Sequence, residues 1–145
     1  MIRGAVFCGL TMGAVCAAPL AAQVEVRDCT GFEANAQNVD WSDPTVTFAN
    51  GAIRFISLNV GEPACCGGYV MVLYPTPDEP FPMCAVVGPE MGWLGASLSR
   101  AVSRYDPATG LTVDIPVMVS DGLSESTTGT VTVHINQATG ELTAR

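Results

Sequence analysis

The chain has 145 residues, with 14 acidic and six basic side chains and a net charge of −8. A chain of this length predicts a single domain that is large enough to bury a core. The acidic balance disfavours nucleic acid and anionic membrane surfaces as partners, because both carry negative charge.

The first 22 residues have the layout of a secretory signal peptide. Arg3 gives a basic start, residues 4–18 are apolar and uncharged, and the small residues Ala21 and Ala22 precede the predicted cleavage point. The apolar stretch is short for a membrane span, and an uncleaved anchor is the alternative. We therefore predict one exported domain at 23–145, periplasmic or secreted, with no membrane insertion after signal removal.

Four cysteines lie beyond the signal, at Cys29, Cys65, Cys66 and Cys84. An even number in an exported chain predicts two disulfides, for which three connectivities exist. Adjacent side chains on an extended backbone point opposite ways, so we expect Cys65 and Cys66 to bond separately to Cys29 and Cys84. The alternatives are a bridge between Cys65 and Cys66, with Cys29 bonded to Cys84, or reduced thiols that bind copper.

The start of the domain is weakly patterned. Val24 and Val26 predict an edge strand, and Cys29, Phe32 and Trp41 are interpreted as anchors of an irregular segment. Apolar residues do not recur at helical spacing there, and the glycine and asparagine residues of the segment are poor helix formers.

Four strands are predicted next. The segments 45–48 and 52–60 flank Asn50-Gly51, a strong hairpin signal, since both central residues of a type I′ turn need positive φ. The apolar side chains of 52–60 switch faces, which indicates a bulge or a strand buried on both faces. The uninterrupted apolar run 69–74 predicts a central strand, and 83–87 returns as the next one.

A proline-rich loop, residues 75–82, joins the last two of these strands. Proline has no backbone donor, so four prolines in eight residues predict a stiff, extended connection. A rigid loop loses little entropy on binding. We therefore name Pro77, Asp78, Glu79 and Phe81 as candidate partner-binding residues, together with Trp93, which a glycine precedes. The alternatives are a connection without a partner and a tryptophan buried in the core.

The C-terminal third gives the clearest pattern. Residues 111–119 and 131–135 alternate strictly, which predicts half-buried strands, and 106–110 and 136–140 each suit a type I turn closed by glycine. Residues 94–105 fit a helix or a strand, and we favour the strand. We expect a polar connection at 121–129.

Together these segments predict an all-β fold. We expect an antiparallel β-sandwich or rolled sheet of about seven or eight strands, linked by disulfides and ending in a β-meander over 96–145. The alternation places His134, the single histidine, on the solvent face of its strand.

No catalytic constellation is evident, so we predict a protein that is not an enzyme and needs no cofactor or metal. The chain lacks a Gly-x-Ser-x-Gly turn and a Cys-x-x-Cys motif. The working hypothesis is a binding or structural module that recognises another exported protein through loop 75–82. The main alternative is a periplasmic copper or redox protein that uses Cys65, Cys66 and Cys84. An enzyme that depends on His134 is a third hypothesis.

Overall fold

In the computed structural model the chain folds as two antiparallel β-sheets that share one core. The structure describes residues 23–43, 45–63, 65–120 and 125–145, so the predicted signal peptide lies outside the described residues. Within these ranges, no helix is long and apolar enough to cross a membrane. The described residues form ten strands: β1 (Glu25–Asp28), β2 (Val46–Phe48), β3 (Ile53–Asn59), β4 (Gly68–Tyr74), β5 (Met83–Gly88), β6 (Gly95–Ala96), β7 (Val102–Asp106), β8 (Gly110–Ser120), β9 (Ser126–Asn136) and β10 (Glu141–Ala144).

The two sheets follow the predicted antiparallel plan. The first has the strand order β1-β5-β4-β3-β2, and the second has the order β10-β9-β8-β6, with β7 also paired to β8. The all-β sandwich and the meander formed by β7 to β10 are confirmed. The strand count exceeds the expected seven or eight, because strands as short as β6 carry too few residues to show alternation.

The core lies between the sheets, where alternate residues of the central strands face one another. Burial of each such side chain contributes about 1.5–3 kcal/mol, so this layer supplies the main stabilisation of the fold. Its members are fully or almost fully buried and include Ile53, Phe55, Val70, Val72, Val87, Val113, Ile115, Val131, Val133 and Ile135.

Strand β3 is buried on both faces. Of the two predicted explanations for its change of face, a bulge or burial on both sides, the second is therefore correct. Ile53 and Phe55 point into the core, while Leu58 faces the other side of the sheet and packs with Tyr69 and Val86. The register between β3 and β4 runs without interruption, so the change of face is not caused by a bulge.

An irregular segment after β1 covers this outer face of the first sheet. Cys29 packs against it, but the predicted anchoring roles of Phe32 and Trp41 are wrong, since their side chains are 58% and 85% exposed. Asn38 fixes the segment instead. Its buried Nδ2 donates to the carbonyl oxygens of Phe32, at 2.7 Å, and Glu33, at 3.3 Å.

The predicted turns are present. The side chains of Asp106 and Asn136 each accept a hydrogen bond from the backbone two residues later, and Gly110 and Gly140 take the positive φ values of +103° and +71°. These turns set the strand register of the meander. The hairpin at Asn50 is also present, with a four-residue loop between β2 and β3 instead of a two-residue turn.

Strands β8 and β9 form the longest hairpin, with the predicted alternation over 111–119 and 131–135. They pair from Leu111 opposite Ile135 to Ser120 opposite Ser126. The predicted polar connection is therefore shorter than 121–129, because residues 126–129 belong to β9. Its part at 121–124 lies outside the described residues.

Residues 94–105 are extended, as favoured, except for a single 3-10 turn at Leu98–Arg100. The reason lies in β8, where the carbonyl of Pro116 accepts from Ser97 N at 2.9 Å. In an antiparallel strand the nitrogen of a residue faces the same neighbour as its carbonyl. Pro116 has no hydrogen to donate to that neighbour. The neighbouring segment therefore stops pairing with β8 after Ser97 and forms the turn between β6 and β7.

The two sheets are joined where two glycine-rich backbones cross. Gly67 N donates to Met91 O at 2.9 Å, and Gly68 and Trp93 exchange two hydrogen bonds of 2.8 Å. The chain then continues into β6 of the second sheet. Gly92 has a φ of +75°, and a Cβ at this position would lie 2.8–2.9 Å from backbone atoms of residues 67 and 68.

This crossing predicts different costs for two glycine substitutions. Gly51 also has a positive φ, of +86°, but a Cβ there would have no neighbour within 4 Å. Gly51→Ala should therefore lower the free energy of unfolding only by the cost of a positive φ at alanine, about 1–2 kcal/mol. Gly92→Ala should lower it by the same cost and by a further contribution of about 1–3 kcal/mol from steric overlap of the new Cβ with the neighbouring backbone. Urea unfolding of both variants measures the difference, and equal losses would contradict the proposed close packing.

Candidate functional site

The base of loop 75–82 is held on one side by a disulfide. Asp28 pairs with Ala85 in the ladder between β1 and β5, so the next residues, Cys29 and Cys84, lie opposite each other. Their sulfurs are bonded, and their Cα atoms are 5.7 Å apart. The bridge extends the paired region of β1 and β5 to the point where the loop ends.

The other side of the loop packs against the second sheet. A Cβ added to Gly140, in the turn between β9 and β10, would lie 2.7 Å from Thr76 Cβ and 3.2 Å from Pro77 Cδ. Thr76 and Pro77 therefore lie directly on this turn, where only a glycine leaves room for them. The first residues of the loop are fixed by packing and the last by the disulfide.

The tip of the loop is exposed. Four of the predicted site residues, Pro77, Asp78, Glu79 and Phe81, lie together on it. The side chain of Phe81 is 77% exposed. The structure thus brings these residues to one projecting surface.

Trp93 does not belong to this surface. Its side chain is only 4% exposed and lies in the core between the sheets, so its prediction as a surface aromatic is wrong. The cause is the paired contact with Gly68, which places residue 93 inside the sandwich although a glycine precedes it. The alternative that it is a core residue is confirmed.

The expected disulfide connectivity is also wrong. Cys65 and Cys66 are bonded to each other. Cys84 lies opposite Leu73, five residues along β4 from Gly68, which is roughly 17 Å at the usual rise per residue. A bridge needs Cα atoms closer than about 7 Å, so Cys84 and the cysteine pair are too far apart.

The pair forms a turn in the chain before β4. Cys66 has a φ of +76°, and the argument from an extended backbone therefore does not apply to it. Both side chains are half-buried, and Gly67 immediately afterwards enters the backbone crossing. The second predicted connectivity, with its vicinal bridge, is the one that the structure has.

The copper site predicted as the alternative is not assembled. Cys84 is bonded to Cys29, and it lies at the opposite end of β4 from Cys65 and Cys66. Within the described part of the chain, no group of three or more histidine, cysteine, aspartate or glutamate side chains is placed to hold a metal ion.

A charged cluster on the outer face of the first sheet is explained by packing. The guanidinium of Arg27 lies 5.1 Å from the centre of the Tyr69 ring and 3.4 Å from Glu33. Tyr69 donates its hydroxyl to Glu90 O at 3.1 Å, and burial raises the pKa of Tyr69 despite the neighbouring arginine. The cluster attaches the irregular segment to the sheet, and Nε and Nη2 of Arg27 are buried there without a hydrogen-bond partner among the described residues.

Sequence reasoning missed a polar depression on the outer face of the second sheet. His134 lies there, half-buried, and contacts Thr112 with an Nδ1 to Oγ1 distance of 3.1 Å. Arg104 and Arg145 line the same depression. These residues could have been found by counting outward from the two predicted turns, since a turn sets the pairing of its strands.

Comparison with protein-family models found no match to this chain, and searches of curated proteins and of solved structures likewise found none.

Proposed function

We propose that this protein is an exported binding module that recognises another exported protein through loop 75–82. The observation that carries the proposal is a rigid loop whose base is fixed on both sides while its tip presents an exposed Phe81. Two disulfides among the described residues support an oxidising, exported location.

The fixed base favours binding because it lowers the entropic cost. Each flexible side chain or loop that must be ordered on binding subtracts from affinity. Here the disulfide at Cys84, the packing of Thr76 on Gly140 and the fixed φ of four prolines restrict the loop before a partner arrives.

The chemistry of the tip defines the kind of partner. Aromatic side chains that enter a pocket of the partner are typical energetic centres of protein interfaces, and Phe81 is suited to this role. Asp78 and Glu79 precede it, so the complementary surface is an apolar pocket bordered by basic side chains. Binding through such charges depends on ionic strength.

Site-specific photo-crosslinking tests this proposal. A benzoylphenylalanine at position 81 should give an adduct with one defined protein in the compartment where the chain resides. The matched control is the same residue at Tyr105, a similarly exposed aromatic side chain on β7 of the second sheet, where the exposed fraction is 62%. The double variant Asp78→Asn/Glu79→Gln should reduce the adduct and its dependence on salt.

A further variant separates rigidity from contact. Pro77→Gly/Pro80→Gly retains Phe81 but loosens the loop, and it should weaken the adduct several-fold by raising the ordering cost. The two substitutions should lower the free energy of unfolding by about 1–2 kcal/mol, because they give the unfolded chain more conformational freedom. Urea unfolding of the variant therefore accompanies the crosslinking, so that a weaker adduct is compared only between folded proteins. Identical adducts from positions 81 and 105, or none from 81, would exclude the loop as the binding site.

A second candidate function, favoured by the bridge between Cys65 and Cys66, is thiol–disulfide exchange. A bridge between adjacent residues closes almost no loop in the unfolded chain, so it contributes little to stability. Moreover, Cys66 has a positive φ in the bridged pair, which costs a non-glycine residue about 1–3 kcal/mol. Reduction would allow Cys66 to leave this conformation and would then alter the approach to Gly67.

Graded reduction tests this second function. A dithiol such as dithiothreitol transfers two electrons and two protons to the bridge, which yields two protein thiols and leaves the reagent as a cyclic disulfide. The β1–β5 ladder holds Cys29 and Cys84 together even when they are reduced, so Cys65 and Cys66 should be alkylated at lower dithiothreitol concentrations.

The fluorescence of Trp93 provides an independent measurement. In a Trp41→Phe background, emission from Trp93 should change as Cys65 and Cys66 are reduced, because Trp93 pairs with Gly68 in the adjoining crossing. The same background with Cys65→Ser/Cys66→Ser is the control and should not respond. Earlier or simultaneous alkylation of Cys29 and Cys84 would refute selective exchange at the adjacent pair.

A further inference from the structure

The outer face of the second sheet contains a depression of about 350 Å³ between β7, β8, β9 and β10. It lies on a different surface from the loop tip and from the two disulfides. Its polar lining is formed by two arginines, one histidine and three threonines: Arg104, Arg145, His134, Thr112, Thr132 and Thr143.

Strand register explains why these side chains meet. Arg104 is directly opposite Thr112, Thr112 is opposite His134, and His134 is opposite Thr143. Four neighbouring strands therefore contribute one row of polar side chains across the sheet.

A second row lies beside the first. Asp114 is opposite Thr132, and Arg145 exchanges two backbone hydrogen bonds with Thr132, of 2.9 and 3.1 Å. Side chains held in this way by paired strands are more precisely placed than those on loops.

The acidic member of the second row is already neutralised. Asp114 accepts one hydrogen bond from Arg104 and another, of 2.7 Å, from Thr132 Oγ1. The bond from Arg104, followed by that from Thr132, holds the pKa of Asp114 below its usual value, and the charge of Arg145 acts in the same direction. Asp114 is thus ionised at neutral pH and occupied by its partners.

Donors remain available in the depression. The bond to Asp114 uses Nη1 of Arg104 and leaves its other guanidinium nitrogens. Arg145 forms no ion pair with any residue that the structure describes. His134 contacts Thr112 through Nδ1, so its Nε2 has no partner among the described residues.

The distribution of charge sets this depression apart from the rest of the surface. Residues 23–145 contain five arginines and no lysine, and two of those arginines meet the single histidine here. A net charge of −8 already favours solubility, so solubility does not explain why basic side chains lie together here. One further carboxylate borders the group, that of Glu141, two residues before Thr143 on β10.

We propose that this depression binds a small oxyanion, a carboxylate or a phosphate carried on a polar ligand. Guanidinium groups match the geometry of both anions and donate to two oxygens at once. Arg145 supplies a guanidinium group that forms no ion pair with a described side chain, and Arg104 adds donors while its own charge is balanced by Asp114. The threonine hydroxyls and His134 Nε2 contact the polar remainder of the ligand.

Titration of the ¹⁵N-labelled full chain by NMR tests the proposal. The probes are inorganic phosphate, glucuronate as a carboxylated sugar, and glucose as the neutral match. At least one anion should bind saturably at concentrations up to roughly 10 mM. The largest amide shifts should occur at Thr132, His134 and Thr143, and glucose should give none. The anion that binds identifies the headgroup.

Two arginine variants provide the control. Arg145→Gln removes the charge from the depression and should weaken binding about tenfold or more. Arg54→Gln removes the same charge from a distant exposed site, where Arg54 donates to Gly51 O, and it should leave affinity unchanged. Both side chains are exposed, so neither change threatens folding.

Several results would overturn the proposal. These are the absence of saturable binding by both anions, equal binding of glucose, equal weakening by the two arginine variants, or amide shifts centred outside β8, β9 and β10. None of them bears on loop 75–82, so this site and the proposed protein-binding loop can fail independently.

Discussion

The contact between the backbones of residues 67–68 and 91–94 is the constraint on which the rest of the structure depends. Two sheets that pack only through side chains could slide, but here paired backbone hydrogen bonds at Gly68 and Trp93 fix one sheet relative to the other. The approach is possible because side chains are missing at Gly68 and Gly92. It also explains why a tryptophan with a glycine on its N-terminal side is buried.

The three candidate sites are held by different parts of this framework. Loop 75–82 lies at the end of β4 that carries the Cys29–Cys84 bridge, and the cysteine pair precedes the other end of that strand. The depression with His134 is on the outer face of the opposite sheet. An acidic protein with a rigid frame therefore presents an acidic aromatic tip and an arginine-lined depression on separate surfaces.

Much of the fold could be predicted because alternation and turn chemistry are local properties. The strict pattern at 111–119 requires one buried face, and the glycine at 110 permits the preceding turn. Residue type does not reveal the positive φ of Cys66, so the sequence alone does not favour the bridge between Cys65 and Cys66 over the other connectivities.

The candidate sites differ in the same way. The exposed tip of loop 75–82 follows from its prolines and charges alone. The depression depends on the pairing of four strands, so Arg104 and Thr143 show no relation along the chain although Thr112 and His134 connect them across the sheet. The preference of a single residue for a strand or for an exposed position does not show which residues lie next to it on the neighbouring strands.

Pro116 has a consequence for where the hydrogen-bond ladder of the second sheet ends. The turn at 106–110 already sets the alignment of β7 with β8, which runs from Asp106 opposite Gly110 to Val102 opposite Asp114. The next residue of β8 that faces this edge is Pro116, whose nitrogen has no hydrogen to donate to a neighbouring carbonyl. Strand β7 therefore cannot continue beyond Val102 with a complete ladder, and the chain between β6 and β7 forms the turn at Leu98–Arg100 instead.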